Sequence, residues 1–549
     1  DWSSDVCSSD LKKLLLGDEA LALGALHAGL SGVYAYPGTP STEITEYIQS
    51  HPLTKERGIH CDWSSNEKTA MESALGVSYS GKRALVCMKH VGMNVCADAF
   101  VNSAVTGANG GLVVVACDDP SQHSSQNEQD SRFYADFAMM PCFEPSNQQE
   151  AYDMVREAFD YSEANHIPVL MRLTTRMAHS RAVVEAGEIR RENEVHFPDE
   201  IHEKNWVTLP VNARKRICQL ADDVLSFEND SVASSDNSYV EGHNHRMGII
   251  ACGIAWNYLM ESFPDGCPYP TLKVTRYPFP KALAREMAAT CDAILVLEEG
   301  QPLIEEKLRG ILYDPEDRRW TKIQGRLDGT LPRTGELTPD CVRVALGLPP
   351  METYSKSEVA VPRPPALCQG CGHRDFYTAL NVVLKEYAPT ARVFSDIGCY
   401  TLGYMPPFNS FQTCVEMGAS ITMALGAANS GVWPAVAVIG DSTFTHSGMT
   451  GLLDCVNAGA SVTICISDNL TTGMTGGQDS AGTGKLEEIC KGLGVEPEHI
   501  RTIIPLPKNY PDMEKVIDEE LNYSGVSVII CRRECIQTAK RHAAANKKA

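Results

Sequence analysis

Residues 440–478 read GDSTFTHSGMTGLLDCVNAGASVTICISDNLTTGMTGGQ. An apolar run at 435–439 stops at Gly440-Asp441, a small-residue stretch with apolar spacing fills 448–460, and a second apolar run at 461–466 stops at Asp468-Asn469. Short continuous apolar runs closed by turn residues predict buried parallel strands. The segment between them predicts a crossover helix. Such a unit places both polar pairs at the carboxyl ends of neighbouring strands, where open α/β sheets take up ligands.

The polar pairs carry hard oxygen donors. Asp441 offers a carboxylate, Asn469 an amide oxygen and Thr471 a backbone carbonyl, a set suited to Mg²⁺, which takes its other ligands from phosphate and water. Gly-Asp, an Asn at 469 and glycines at 473, 476 and 477 resemble the thiamine diphosphate (TPP) signature, in which the metal bridges protein and diphosphate. Gly-Asp alone would fit any doubly wound unit with a polar switch point.

Composition bounds the rest. The chain has 549 residues, 43% of them apolar, enough for roughly three or four domains. With 48 basic and 70 acidic residues its net charge is −22, which argues against nucleic acid as a partner. No apolar run reaches the ~18 residues of a bilayer span, so a soluble, cytoplasmic protein without membrane contact is expected. The 20 cysteines are scattered singly, several inside apolar strands, as reduced thiols of a cytoplasmic core would be. The close pair Cys368 and Cys371 lacks the second pair that a zinc or cluster site would need. The polar, repetitive residues 1–11 are read as non-native or disordered.

The amino-terminal part, 12–184, reads as an α/β domain. A short strand at 32–35 ends in Tyr-Pro-Gly-Thr39-Pro-Ser41-Thr-Glu, a turn whose N–H groups and hydroxyls at Thr39 and Ser41 would suit an anionic carboxylate; a plain capped turn is the alternative. Glu67 opens a helix of small and apolar residues, which predicts a carboxylate facing a packed interface. TPP needs one such group to share a proton with its aminopyrimidine ring. A strand at 84–88 ends in Lys89-His-Val-Gly92, and one at 111–117 leads into a long polar loop, 118–132, containing His123, Gln126, Asn127 and Arg132. That loop is read as a substrate lid or a solvated connection. Arg176 and His179 are read as capping the sheet.

Residues 185–246 read as an interdomain linker with one helix near 213–227, and 247–350 as a second α/β unit, in which Glu298 and Glu299 are read as surface charges. The Pro-rich segment 351–366 marks the last boundary before the domain 367–549. There Cys368-Gln-Gly-Cys371-Gly-His opens a helix, and Gly398-Cys399 follows a strand at 393–396. Glycines at these loops predict close backbone approach to a diphosphate.

YPGTPSTEI, DWSSNEKTAMESALG, KHVGMNV, DDPSQHSSQNEQDSR, GDSTFTHSG and SDNLTTGMTGGQ together resemble the large (alpha) subunit of indolepyruvate:ferredoxin oxidoreductase, within the 2-oxoacid:ferredoxin oxidoreductase superfamily. The resemblance implies two TPP-binding-type doubly wound domains, pyrimidine-binding at 12–184 and diphosphate-binding at 367–549, with a transketolase C-terminal-like domain between them. It implies TPP, Mg²⁺, coenzyme A, a 2-oxoacid such as indole-3-pyruvate, a small (beta) subunit, a dimer or heterotetramer, and electrons passed through 4Fe–4S clusters to ferredoxin. By residue it implies catalytic roles for Glu67, Thr39 and His123, and metal ligation by Asp441, Asn469 and Thr471. Cofactor contacts are implied at Gly92, Cys371, Gly398, Cys399, Gly440, Ser442, Gly473 and Met474. The resemblance makes the Cys368–Cys371 turn a cofactor-lining element with no metal, and the chain departs from the family in carrying no cluster motif, so a truncated coding sequence or a separate cluster polypeptide is expected. A non-oxidative TPP-dependent decarboxylase or ligase is the alternative activity.

Overall fold

A computed structural model of the chain describes residues 12–198, 204–314, 319–352, 355, 357–361 and 364–546; the reading of residues 1–11 lies outside them. The chain divides into two compact units, 1–354 and 355–549.

The second unit is built on six parallel strands in the order Thr413–Cys414, Arg392–Ser395, Ala435–Gly440, Val462–Asp468, Val526–Arg532, Ile500–Ile503. Its side chains alternate between two apolar layers: Val436, Val438 and Cys465 pack on one face, Ala437, Ile439, Ile464 and Ile466 on the other. A sheet covered on both faces needs this continuous apolar run, which is why the strands read as unbroken hydrophobic segments. From Arg392–Ser395 the chain moves outward to Thr413–Cys414, then returns to Ala435–Gly440 and proceeds the other way. The switch point therefore falls between the strand ends carrying Asp396 and Asp441.

The first unit contains a seven-stranded sheet that repeats this winding: His60–Trp63, Gly32–Ala35, Ala84–Lys89, Leu112–Asp118, Val169–Thr174, Cys142–Phe143, with Arg276–Tyr277 added antiparallel at the edge. Its switch point lies between Gly32–Ala35 and Ala84–Lys89. A five-stranded sheet, Lys322–Gln324, Ala293–Leu297, Gly248–Cys252, Thr271–Val274, Tyr239–Val240, belongs to the same unit. Fold class is thus α/β with two doubly wound parallel sheets and a third α/β layer. Among the described residues no helix is long and apolar enough to cross a membrane.

Several local readings change. The helix inside 185–246 runs Pro210–Ala233 and buries Leu220 and Phe227 in the first unit's core. Glu298 and Glu299 are only 1% exposed, because each carboxylate closes a turn. Glu298 accepts from the N–H groups of Ile304 and Glu305 and pairs with Arg132 at 3.0 Å, and Glu299 accepts from Leu337 N at 2.9 Å. Arg132 is no lid residue either: it is buried against Asp130 at 2.6 Å. Burying these charges together, paired and hydrogen-bonded, is the condition under which they are tolerated.

Candidate active site

In the second unit, Asp441 follows strand Ala435–Gly440 and is 2% exposed, and its Oδ2 meets no hydrogen-bond donor. Burial, reinforced by the neighbouring Asp468 carboxylate, pushes the Asp441 carboxyl up to about 7. Asp468, on the next strand, is differently placed: Arg532 Nε donates to its Oδ2 at 2.6 Å, and Arg532 also forks onto Glu487. One carboxylate is neutralised by protein and the other is left with a vacant oxygen. A buried anionic oxygen without a partner is costly, and a divalent cation is the group that would satisfy it.

The loop after Val462–Asp468 is shaped around that point. Leu470 takes φ 61°, Thr471 N donates to Asn469 Oδ1 at 3.2 Å, and Thr471 Oγ1 donates to the Gln478 carbonyl at 2.9 Å. Thr472 N also donates to the Gln478 carbonyl, at 2.9 Å. The loop is tied back across its glycines, and Ser442 Oγ meets Thr472 Oγ1 at 2.5 Å. Met474, in contrast, lies 56% exposed at the loop tip. Gly398 and Gly440 have a packing reason for being glycine. A Cβ at either would strike the Tyr400 ring, at 440 within 2.6 Å of Cε1. Tyr400 in turn donates its hydroxyl to Asp396, which Ser420 Oγ also reaches at 2.6 Å; burial pushes Asp396 up to about 7.

Beside Asn469 and Gly473 lies a cavity of about 90 Å³ lined by Cys368, Cys371, Cys399 and Cys535. Burial first, then the charges of Cys371, Cys535 and Cys368, push the Cys399 thiol up to about 12. Cys535 is held to the site by its N–H, which donates to the Asn469 carbonyl at 3.0 Å. The CxxC pair therefore has two partners, contributed by the turn after Arg392–Ser395 and the segment after Val526–Arg532. No three of these sulfurs converge within 4.8 Å, whereas one tetrahedral ion with ~2.3 Å bonds would draw them to about 3.8 Å. As placed, the four thiols line one cavity without converging on a single ion. His373, fully buried on the same cavity, has both ring nitrogens unpartnered and is held neutral by burial, which pulls it down to about 4.

In the first unit Glu67 begins helix Glu67–Tyr79, whose cap is the Asn66 side chain accepting from Thr69 N at 2.9 Å. Glu67 is buried, and Gly92 makes its place: a Cβ at 92 would lie 2.7 Å from Glu67 Oε1. Any role of Gly92 is therefore exerted through Glu67. At the switch point, the turn after Gly32–Ala35 is closed by its own hydroxyls. Ser41 Oγ donates to the Gly38 carbonyl at 2.7 Å and Gly38 N donates to Thr42 Oγ1 at 3.0 Å. Ser41 is therefore spent on the turn, and Thr39 sits half-buried beside it.

Gly38 packs against Lys89, 3.0 Å from a Cβ to Lys89 Cβ. Burial pulls Lys89 down to about 8, and its Nζ donates to the Ser124 carbonyl at 2.7 Å. A half-buried ammonium across the switch point from Thr39 is the feature the sequence reading passed over. Its signal was there, a lysine closing an apolar strand. His123, next to Ser124 in the loop, is 48% exposed with its Nε2 3.4 Å from Glu336.

A family model described as "Pyruvate flavodoxin/ferredoxin oxidoreductase, thiamine diP-bdg" matches residues 23–230. One described as "Thiamine pyrophosphate enzyme, C-terminal TPP binding domain" matches 396–531. The chain is 37% identical to indolepyruvate oxidoreductase subunit IorA of Archaeoglobus fulgidus, over 95% of this chain and 86% of that one. It is also 37% identical to the same subunit of Methanothermobacter marburgensis, with the same coverage. Ketoisovalerate oxidoreductase subunit VorA of Pyrococcus abyssi matches 29% of the chain, and 41% of its own length, at 28% identity. A solved 2-oxoglutarate:ferredoxin oxidoreductase from Magnetococcus marinus aligns with 57% of this chain and 62% of that one, at a TM-score of 0.46 and 16% identity. Glu67 lies within the first matched region, and Asp441 and Asn469 lie within the second. With more than a third of its residues identical across nearly its whole length, the chain belongs to the indolepyruvate oxidoreductase subunit IorA family of TPP-dependent oxidoreductases.

Proposed function

We propose that this chain is the large subunit of an enzyme that oxidatively decarboxylates an aryl 2-oxoacid, indole-3-pyruvate, to its acyl-coenzyme A. Its cofactors are TPP and Mg²⁺, and its electrons pass through an iron–sulfur centre to ferredoxin. The observation that carries the reading is the unsatisfied, buried Oδ2 of Asp441 beside Asn469 at neighbouring strand ends. The relatives' name supports the substrate and the need for a partner subunit.

When bound, TPP supplies the electron sink for loss of CO₂. Asp441 Oδ2, the Asn469 amide oxygen and the Thr471 carbonyl would hold Mg²⁺ and, through it, the diphosphate. Glu67 would face the aminopyrimidine ring of the bound cofactor as its proton-sharing partner, and Gly92 leaves room for its carboxylate. Lys89 Nζ and the Thr39 hydroxyl receive the substrate carboxylate. Cys368, Cys371, Cys399 and Cys535 would hold a cluster that takes electrons one at a time.

Calorimetric titration of TPP into the purified chain tests the reading: tight binding that requires Mg²⁺ supports it, and no binding with Mg²⁺ present refutes it. Product analysis with the small subunit added separates the activities. Acyl-coenzyme A formation is expected, and free aldehyde alone would favour the non-oxidative alternative.

A further inference from the structure

A second group of metal-ligating side chains lies far along the sequence from the Asp441 loop, at the carboxyl edge of the first unit's sheet. Asp18, Glu43 and His179 each bring one ligand atom to a point where all three lie within 4.8 Å of one another. Each comes from a different helix: Asp18 from the first turn of Gly17–His27, Glu43 from the first turn of Thr42–Ser50, and His179 from the end of Thr175–His179. Gly17 makes the convergence possible, since a Cβ there would run into the Met177 carbonyl oxygen and push the third helix away.

Asp18 is 0% exposed, and neither of its carboxylate oxygens meets a donor. This is the most expensive state for a buried carboxylate. His179 Nε2 and Glu43 Oε2 stand 3.5 Å apart, with neither in hydrogen-bonding geometry. That separation is close to the ~3.4 Å edge of a tetrahedron with ~2.1 Å metal bonds. Asp18 is sealed, and the facing atoms Glu43 Oε2 and His179 Nε2 are buried with it, although the His179 and Glu43 side chains as a whole are 33% and 37% exposed.

The geometry points to a divalent-cation site formed by Asp18, Glu43 and His179. Two carboxylates and one imidazole form a mixed set that favours Mn²⁺ or Zn²⁺ over the all-oxygen preference of Mg²⁺ and Ca²⁺. Three protein ligands leave positions open for water or an anionic ligand. The site is independent of the TPP reading and stands whether or not that reading holds.

The test uses Mn²⁺ alone, with the full chain carrying Asp441→Asn so that the Asp441 loop does not compete. After chelation and dialysis, this chain should bind one Mn²⁺ by calorimetry, and its electron spin-echo spectrum should carry nitrogen modulation from the imidazole. Adding Asp18→Asn should weaken binding at least tenfold, and adding His179→Gln should remove the modulation. Thermal melting checks each variant's fold. His179→Gln, at the surface, keeps the test decisive if Asp18→Asn does not fold. Binding unchanged by either substitution, no Mn²⁺ bound, or a spectrum without nitrogen would overturn the assignment.

Discussion

Replacing Asp441 by Asn keeps its shape and removes its charge, and the structure sets the size of the effect. Burial and the Asp468 carboxylate carry the Asp441 carboxyl from an ordinary 3.8 to about 7. At 1.36 kcal/mol per pH unit, the ionised form costs the metal-free fold about 4 kcal/mol. The sign follows from the raised value. Between pH 4 and pH 7 the folded chain keeps a proton that the unfolded chain has released, so stability falls as pH climbs through that window and the penalty is complete above 7. Asp441→Asn should therefore melt higher than the unsubstituted chain at pH 8 in the absence of metal. About 2–4 kcal/mol is expected after the new amide has found partners, or roughly 5–10 °C for a unit of this size. At pH 4 the two should melt together. Adding Mg²⁺ and TPP should reverse the order at pH 8, because only the aspartate gains a ligand. Scanning calorimetry at both pH values, with and without Mg²⁺ and TPP, reads all four conditions. A variant that melts lower at pH 8 without metal, or gains as much from Mg²⁺ and TPP, would refute the argument.

Gly92→Ala should lower turnover by about a hundredfold with little change in TPP affinity, because its Cβ would force Glu67 to move by most of an ångström; steady-state kinetics beside calorimetry separates the two. The KM for the 2-oxoacid should rise about tenfold per pH unit above 8 as Lys89 loses its proton, and Lys89→Met should give a KM that is high and flat with pH. Cys535→Ser should remove iron and the visible cluster absorption after anaerobic reconstitution while Mg²⁺-dependent TPP binding survives. Gly440→Ala should destabilise the second unit by about 1–3 kcal/mol, since its Cβ meets the Tyr400 ring, which a melting curve would show.

What was legible in the sequence was whatever depends on local pattern. Strands such as Ala435–Gly440 and Val462–Asp468, buried on both faces, leave unbroken apolar runs, and Gly-Asp and Asp-Asn at their ends point to the ligand-binding edge of the sheet. Glu67 could be found because a carboxylate stood out in a small-residue helix. The cysteine-lined cavity was not legible, because its four thiols are 368, 371, 399 and 535 in sequence and only the winding of the second sheet brings them together. A search for consecutive cysteine runs passes over such a site. Glu298, Glu299 and Arg132 were misread for a related reason: charge predicts exposure until a partner far along the chain, here Arg132 for Glu298, makes burial tolerable. The packing of Gly398 and Gly440 on the Tyr400 ring was not legible either, because the ring reaches them only in the folded sheet.

Anaerobic reduction of methyl viologen reads a TPP-dependent oxidation started by Glu67. The assay contains the chain with its small partner subunit, TPP, Mg²⁺ and coenzyme A. Reduction that requires both indole-3-pyruvate and TPP, and that falls at least a hundredfold in Glu67→Gln with its fold intact, is the predicted result. Unchanged reduction in Glu67→Gln, or reduction that proceeds without TPP, would contradict it.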